Sequence, residues 1–81
     1  PGWPLGFGDD DKARQYLQKA LAINPEGIDA NFFFGDFLLD QGEPERARAY
    51  FQKVLEAPGR AGRDIADAGR RKEARNRLDT L

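Results

Sequence analysis

Apolar side chains recur along the chain with the period of an α-helix. Ala13, Tyr16, Leu17, Ala20 and Leu21 fall at i, i+3, i+4, i+7 and i+8, and Ala47, Tyr50, Phe51, Val54 and Leu55 repeat those five positions 34 residues later. Each set draws one apolar stripe along an otherwise polar helix. Between them, Ile28 to about Gln41 reads as a further, more apolar helix, in which the small residues Ala30 and Gly35 let a neighbour approach closely. Asp9, Asp10 and Asp11 supply an N-cap and first-turn negative charge for the first helix, where orphan amides and the helix dipole favour it. Asn24-Pro25 and Pro58-Gly59 are stops, and Gly42 is placed to act as a left-handed C-cap. Pro44 follows Glu43 and is tolerated in a first turn, where its missing N–H has no partner to lose. The pattern predicts helices near residues 9–23, 28–41, 44–56 and 70–80, the middle two joined as an antiparallel hairpin by a short turn.

The two amphipathic segments are also alike as sequences. "KARQYLQKAL" (residues 12–21) and "RARAYFQKVL" (residues 46–55) share six of ten residues, and each follows a Gly and an acidic residue and precedes a Pro. A weaker echo closes the chain, where Gly69, Ala74, Leu78 and Leu81 have the spacing of Gly42, Ala47, Phe51 and Val54. Repetition at this period points to a helical repeat array. Such a unit buries its apolar faces only against its neighbours, and about three are needed for stability. One full repeat, a preceding half and a shortened last unit therefore call for external burial, by upstream repeats or by a second chain.

These residues resemble the tetratricopeptide repeat (TPR) family. Phe34, Gly35 and Leu38 on the first helix of the middle repeat, Ala47, Phe51 and Val54 on its second, and Pro25 closing the preceding repeat match the family pattern. The chain departs from it at Asn31, where a large apolar residue is common, at Pro44, which replaces a frequent aromatic, and at Pro58, one residue early. In the last unit Ala47 to Ala74 spans 27 residues rather than 34. The resemblance implies an all-α fold of antiparallel helix-turn-helix repeats in a right-handed superhelical array, with a C-terminal capping helix. On that reading residues 1–8 are a loop or linker, 9–58 the TPR-like helices, and 59–81 a shortened terminal repeat. The closing "APGRAGRDIADAGRRKEAR" resembles the tails of bacterial members of the family. With a start at Pro1 and no Met, it sets the expectation of the C-terminal part of a longer bacterial chain, soluble in cytoplasm or periplasm.

Composition narrows the chemistry. Eighty-one residues make one small domain, able to bury only about 60–65 % of its unfolded surface. There is no Cys, His or Ser, and Thr80 is the single Thr, which removes disulfides, the usual zinc sites and nucleophile–imidazole chemistry. No apolar run approaches the roughly 20 residues of a membrane span. Charge is divided: residues 1–58 carry a net of −4 and residues 59–81 a net of +3, so the two parts can attract one another or the same parts of a second chain.

The candidate motifs have plain readings. "GFGDDDK" (residues 6–12) has glycines like a phosphate loop but sets three carboxylates where phosphate would lie, and it lacks the spacing of a calcium loop. Asp36 and Asp40 lie one turn apart, but nothing marks a pocket that would separate their pKa values as an acid/base pair. Arg60 to Arg77 is basic yet has no interleaved aromatics for base stacking and is interrupted by Asp64, Asp67 and Glu73. It reads as a solvated cap helix complementing the acidic body, with Glu73 and Arg77 as an i, i+4 pair. No catalytic residue, metal or cofactor is expected.

"NFFFGDFLL" (residues 31–39) remains. Residues 100° apart cannot share one direction, so its phenylalanines divide. The resemblance assigns Phe34 to the partner helix within the repeat and Phe33 and Phe37, with Ala30, to the preceding helix. It leaves Phe32, with Asp29, Asp36, Leu39 and Asp40, on the concave groove. Either Trp3, Leu5 and Phe7 fold over Phe32, or the groove is open. An open groove would be acidic and aromatic, suited to a basic or apolar peptide. It lacks the Lys, Arg and Asn by which carboxylate-clamp members of the family hold acidic tails. The expected function is non-catalytic protein–protein interaction or assembly, with protein, peptide or a second copy as partner and no signature for nucleic acid. The alternative is a terminal cap or oligomerisation segment without a peptide-binding role.

Overall fold

A computed structural model gives the fold of residues 10–81, which are the residues described. Four helices follow one another: α1 (Asp10–Ile23), α2 (Ile28–Asp40), α3 (Pro44–Glu56) and α4 (Asp64–Asp79). The chain is all-α in the antiparallel repeat arrangement, with no strand among the described residues.

Helix ends follow the local chemistry. Asp10 and Asp11 occupy the first turn of α1; Asp9, expected as its cap, lies outside the described residues. α1 stops before Pro25, and the turn is closed by the Gly27 N–H donating to the Asn24 carbonyl at 3.0 Å. At the end of α2 the Gly42 N–H donates to Leu39 O and the Glu43 N–H to Leu38 O. Gly42 has φ +77°, so this is the paired-bond C-terminal motif that requires a left-handed residue. Pro44 opens α3, which ends at Ala57 in extended backbone, the conformation imposed on a residue before proline.

α2 is central and packs on α1, α3 and α4, most extensively on α3. Phe34 meets Tyr50 edge-on at 4.7 Å between ring centroids. Gly35 is the point of closest approach: a Cβ there would lie 2.7 Å from the Phe51 ring. Ile28, Phe32, Phe34, Phe37 and Leu38 of α2, Ala47, Phe51 and Val54 of α3, Ala13 and Leu17 of α1, and Ala74 of α4 form one buried cluster. Asn31, at the position where a large apolar residue was expected, is fully buried. Its Nδ2 donates to Pro25 O at 3.0 Å and Gly27 O at 2.8 Å, tying α2 to the turn before it.

The last helix corrects the sequence reading twice. It begins at Asp64, not near residue 70, because Asp64 and Asp67 provide an acidic first turn after a turn at Gly62 with φ +72°. Gly69, which looked like a boundary, lies inside the helix. Its frame differs as well. α4 packs on both α3 and α2, the place of the first helix of a following repeat, not of a second helix. An uninterrupted offset of 34 then pairs Gly35 with Gly69 and Phe37 with Arg71. The last pair behaves alike: Arg14 of α1 lies over the Phe37 ring at 5.1 Å, and Arg71 donates to Ala57 O, at the end of α3, at 3.0 Å. Both residues turn to the preceding helix.

Candidate functional site

Asp29, Phe32, Phe33 and Asp36 stand at i, i+3, i+4 and i+7 on α2 and form one ridge along the helix. Phe32 is only 3 % exposed. Its ring packs edge-on against Phe51 at 5.7 Å and Phe33 at 5.9 Å, and the guanidinium carbons of Arg70 and Arg77 lie 5.2 Å and 5.3 Å from its centroid. Phe32 is therefore not on the groove surface where the sequence reading left it. Its cover among the described residues comes from α4; Trp3, Leu5 and Phe7 lie outside them. Cations over an aromatic face are attracted by the ring quadrupole, so the arginines cover Phe32 while keeping their charged heads near water.

The same arginines bind the carboxylates beside the ring. Arg70 also lies 4.9 Å from the Phe33 centroid, and it donates from Nε to Asp29 Oδ1 at 3.1 Å and from Nη1 to Glu73 Oε1 at 2.9 Å. Arg77 grips Asp36 with two bonds, Nε to Oδ1 at 2.7 Å and Nη2 to Oδ2 at 3.1 Å. This fork geometry is the strong form of a carboxylate pair, and the bonds to Asp36 raise the Arg77 pKa against the opposing effect of desolvation. Glu73 thus pairs with Arg70, three residues away, and not with Arg77 as expected. From the loop before α4, Arg60 Nη1 donates to Asp29 Oδ2 at 3.3 Å.

Arg60 is itself held by Asp67, a residue the sequence reading treated only as an interruption of the basic run. Asp67 is 1 % exposed. It accepts the Arg60 backbone N–H at 2.8 Å, Nε at 2.7 Å, and Nη2. The side-chain bonds to Arg60, then its backbone N–H, hold the Asp67 carboxyl below the usual carboxylate range despite burial. At the other end of the hairpin Glu43 joins Arg14 at 2.9 Å and Arg46 at 2.8 Å, and these hydrogen bonds lower its pKa.

The remaining candidates are dispersed. Leu39 is half-buried against the core and Asp40 is exposed. Phe37 is buried toward α1 and stacks on Phe34 at 6.1 Å, whereas Phe33, expected beside it, is half-buried against Arg70 on the side of α4. Sequence reasoning missed Arg60, Arg70 and Arg77 as partners of the acidic ridge, although the division of charge between residues 1–58 and 59–81 was the signal for them. Among the described residues no three metal-ligating side chains converge, and no helix is long and apolar enough to cross a membrane.

Helices stacked as antiparallel pairs, with a glycine admitting an aromatic of the neighbouring helix and the register recurring after 34 residues, define a helical repeat protein. The match is specific: a family model described as Tetratricopeptide repeat covers residues 5–62, and the chain belongs to that family. No curated protein and no solved structure matches it. Membership points to a protein-interaction or scaffold module with protein partners.

Proposed function

We propose that the chain is a non-catalytic protein-interaction or assembly module whose contact surface is the edge of α2 formed by Asp29, Phe33, Asp36, Leu39 and Asp40, with Phe32 supporting it from below. The observation that supports this is the partial exposure of residues that are already fixed in place. The Asp29 and Asp36 side chains remain 37 % and 26 % exposed while held by arginines. A surface fixed before binding loses less conformational freedom on binding. With free carboxylate lone pairs and the exposed Asp40 beside an aromatic rim, it suits a basic or apolar segment.

The probe is a short peptide alternating Arg and Leu, with its Glu and Leu counterpart as control. Titration followed by backbone amide shifts is expected to give a Kd below about 1 mM for the basic peptide at low salt, with shifts centred on Phe33, Asp36 and Asp40 and weakened by Asp40→Lys. Equal binding of both peptides, or binding of neither, sinks this reading. A second reading, a terminal cap or oligomerisation segment, is favoured by Arg60, Arg70 and Arg77 already lying across the acidic ridge. It is supported if neither peptide binds and the chain self-associates.

A further inference from the structure

The offset of 34 that relates α2 to α4 identifies a face that is buried in one helix and open in the other. Asn31, Phe34, Gly35 and Leu38 are buried in α2, with Phe34 and Gly35 against Tyr50 and Phe51 of α3. Their counterparts Ile65, Ala68, Gly69 and Lys72 are all exposed, Ile65 to 91 %. A Cβ at Gly35 would strike Phe51, whereas one at Gly69 would meet nothing within 4 Å. A shallow depression lined by Gly62, Arg63, Asp64, Ile65 and Ala66 continues this face toward the start of α4.

We propose that this face of α4 docks on the same face of a second copy of the chain, the two α4 helices lying antiparallel about a two-fold axis near Ala68 and Gly69. The inference rests on the assembly side of the function proposed above and names its partner. Small residues at the centre let the two backbones approach, and Ile65 of each copy packs between Gly69 and the methylene stem of Lys72 of the other. Charge selects the antiparallel arrangement. Asp64 stands at the start of α4, and Lys72 and Arg75 in its second half. Antiparallel pairing brings Asp64 to Lys72 and Arg75 of the partner, and it also opposes the helix dipoles. A parallel pairing would set like charges side by side. An isologous contact of this kind closes at two copies. One helix face is well under the roughly 800 Å2 per partner of a stable interface, so the dimer is weak and forms at high protein concentration.

Sedimentation equilibrium on the 81-residue chain is expected to show mass rising with concentration toward two copies and no further. Ile65→Lys, at an exposed site that leaves helicity and Tm unchanged, is expected to weaken association at least tenfold. Asp64→Lys weakens it, and adding Lys72→Asp restores it, because each swapped residue then faces its swapped partner across the axis. A single-chain mass up to about 1 mM, a mass passing two copies, or a dimer indifferent to Ile65→Lys overturns the proposal. So does a single-chain mass with a synthetic α3 peptide shifting the amides of Ile65 and Gly69, which would make the occupant an α3-like helix and not a second copy. Peptide binding at the edge of α2 is measured on the Ile65→Lys variant, so its loss or survival is read independently of dimer formation.

Discussion

α2 has two seams of different construction. Against α3 it is apolar and tight: Phe34 on Tyr50, Gly35 on Phe51, and Leu38, Ala47 and Val54 without exposed surface. Against α4 it is held by arginines lying over Phe32 and Phe33 and paired with Asp29 and Asp36. The first seam depends on apolar area and shape, which salt and mild acid leave alone. The second depends on charges with about a third of their surface in water, which salt screens. One repeat period thus joins a permanent hairpin to a helix whose attachment responds to solution conditions.

The largest effect is expected at Phe51, which both seams share. Phe51→Ala should cost about 3–5 kcal/mol, a large part of the roughly 4–12 kcal/mol available to a chain of this size. Urea titration followed by circular dichroism should show all four helices melting early together. If α4 alone melted, the α2–α3 seam would not be the keystone. Next is Gly35→Ala. Better helix propensity contributes about 1 kcal/mol, but overpacking against Phe51 costs about 1–3 kcal/mol, so a net loss is expected. Gly35→Ala combined with Phe51→Leu should cost less than the sum of the two changes, because the smaller side chain makes room for the new methyl group; strict additivity would show that the close approach is not the cause.

How far each seam was legible in the sequence follows from its physics. Periodicity and the 34-residue repeat report apolar faces, so the amphipathic stripes of α1 and α3 and the left-handed turn at Gly42 could be read directly, while the pairing of Phe34 and Gly35 with α3 followed from the resemblance to the repeat family. α4 carries few apolar residues. Its inward side is Asp67, Arg70, Ala74 and Arg77, and long-range ion pairs leave no periodic mark. A helix start at residue 70 follows from matching Gly69 to Gly42 after the stop at Pro58-Gly59, and only the buried Asp67 gripping Arg60 shows why the first turn begins earlier. Phe32 differs from expectation for the same reason: the cover over it is guanidinium, which leaves no apolar signature in the sequence. Asn31 escaped because its partners are backbone carbonyls of the turn, which any sequence supplies.

Acid should separate the seams next. The folded Asp67 carboxyl titrates below its ordinary value near 3.8, so its contribution is fully present above that value and is lost as pH falls through the lower folded one. Amide hydrogen exchange is expected to show α4 and the Arg60 loop losing protection below about pH 4 before α2 and α3 do. Asp67→Asn should produce that loosening at neutral pH, lowering Tm by several degrees, about the effect of 1 kcal/mol in a domain this small. Simultaneous loss of protection in all helices would mean that α4 is not separately attached.

Arg77→Gln gives the smallest and sharpest test. The Arg77 side chain is 36 % exposed, so its pair with Asp36 is partly screened and the change should cost about 1 kcal/mol or less. What distinguishes it is where the loss appears. Gln cannot reproduce the two-bond grip on Asp36 or the cation over Phe32, so the Phe32 ring and the last turns of α4 should show the shifts, while Phe34 and Tyr50 stay unchanged. Raising the ionic strength from about 0.1 M to about 1 M, which shortens the screening length from about 10 Å to about 3 Å, should loosen α4 in the unmodified chain and have less effect in the variant. Equal salt sensitivity of the two would mean that Asp36 and Arg77 contribute nothing to the attachment, leaving Ala74, Leu78 and the Asp29 pairs to hold α4 in place.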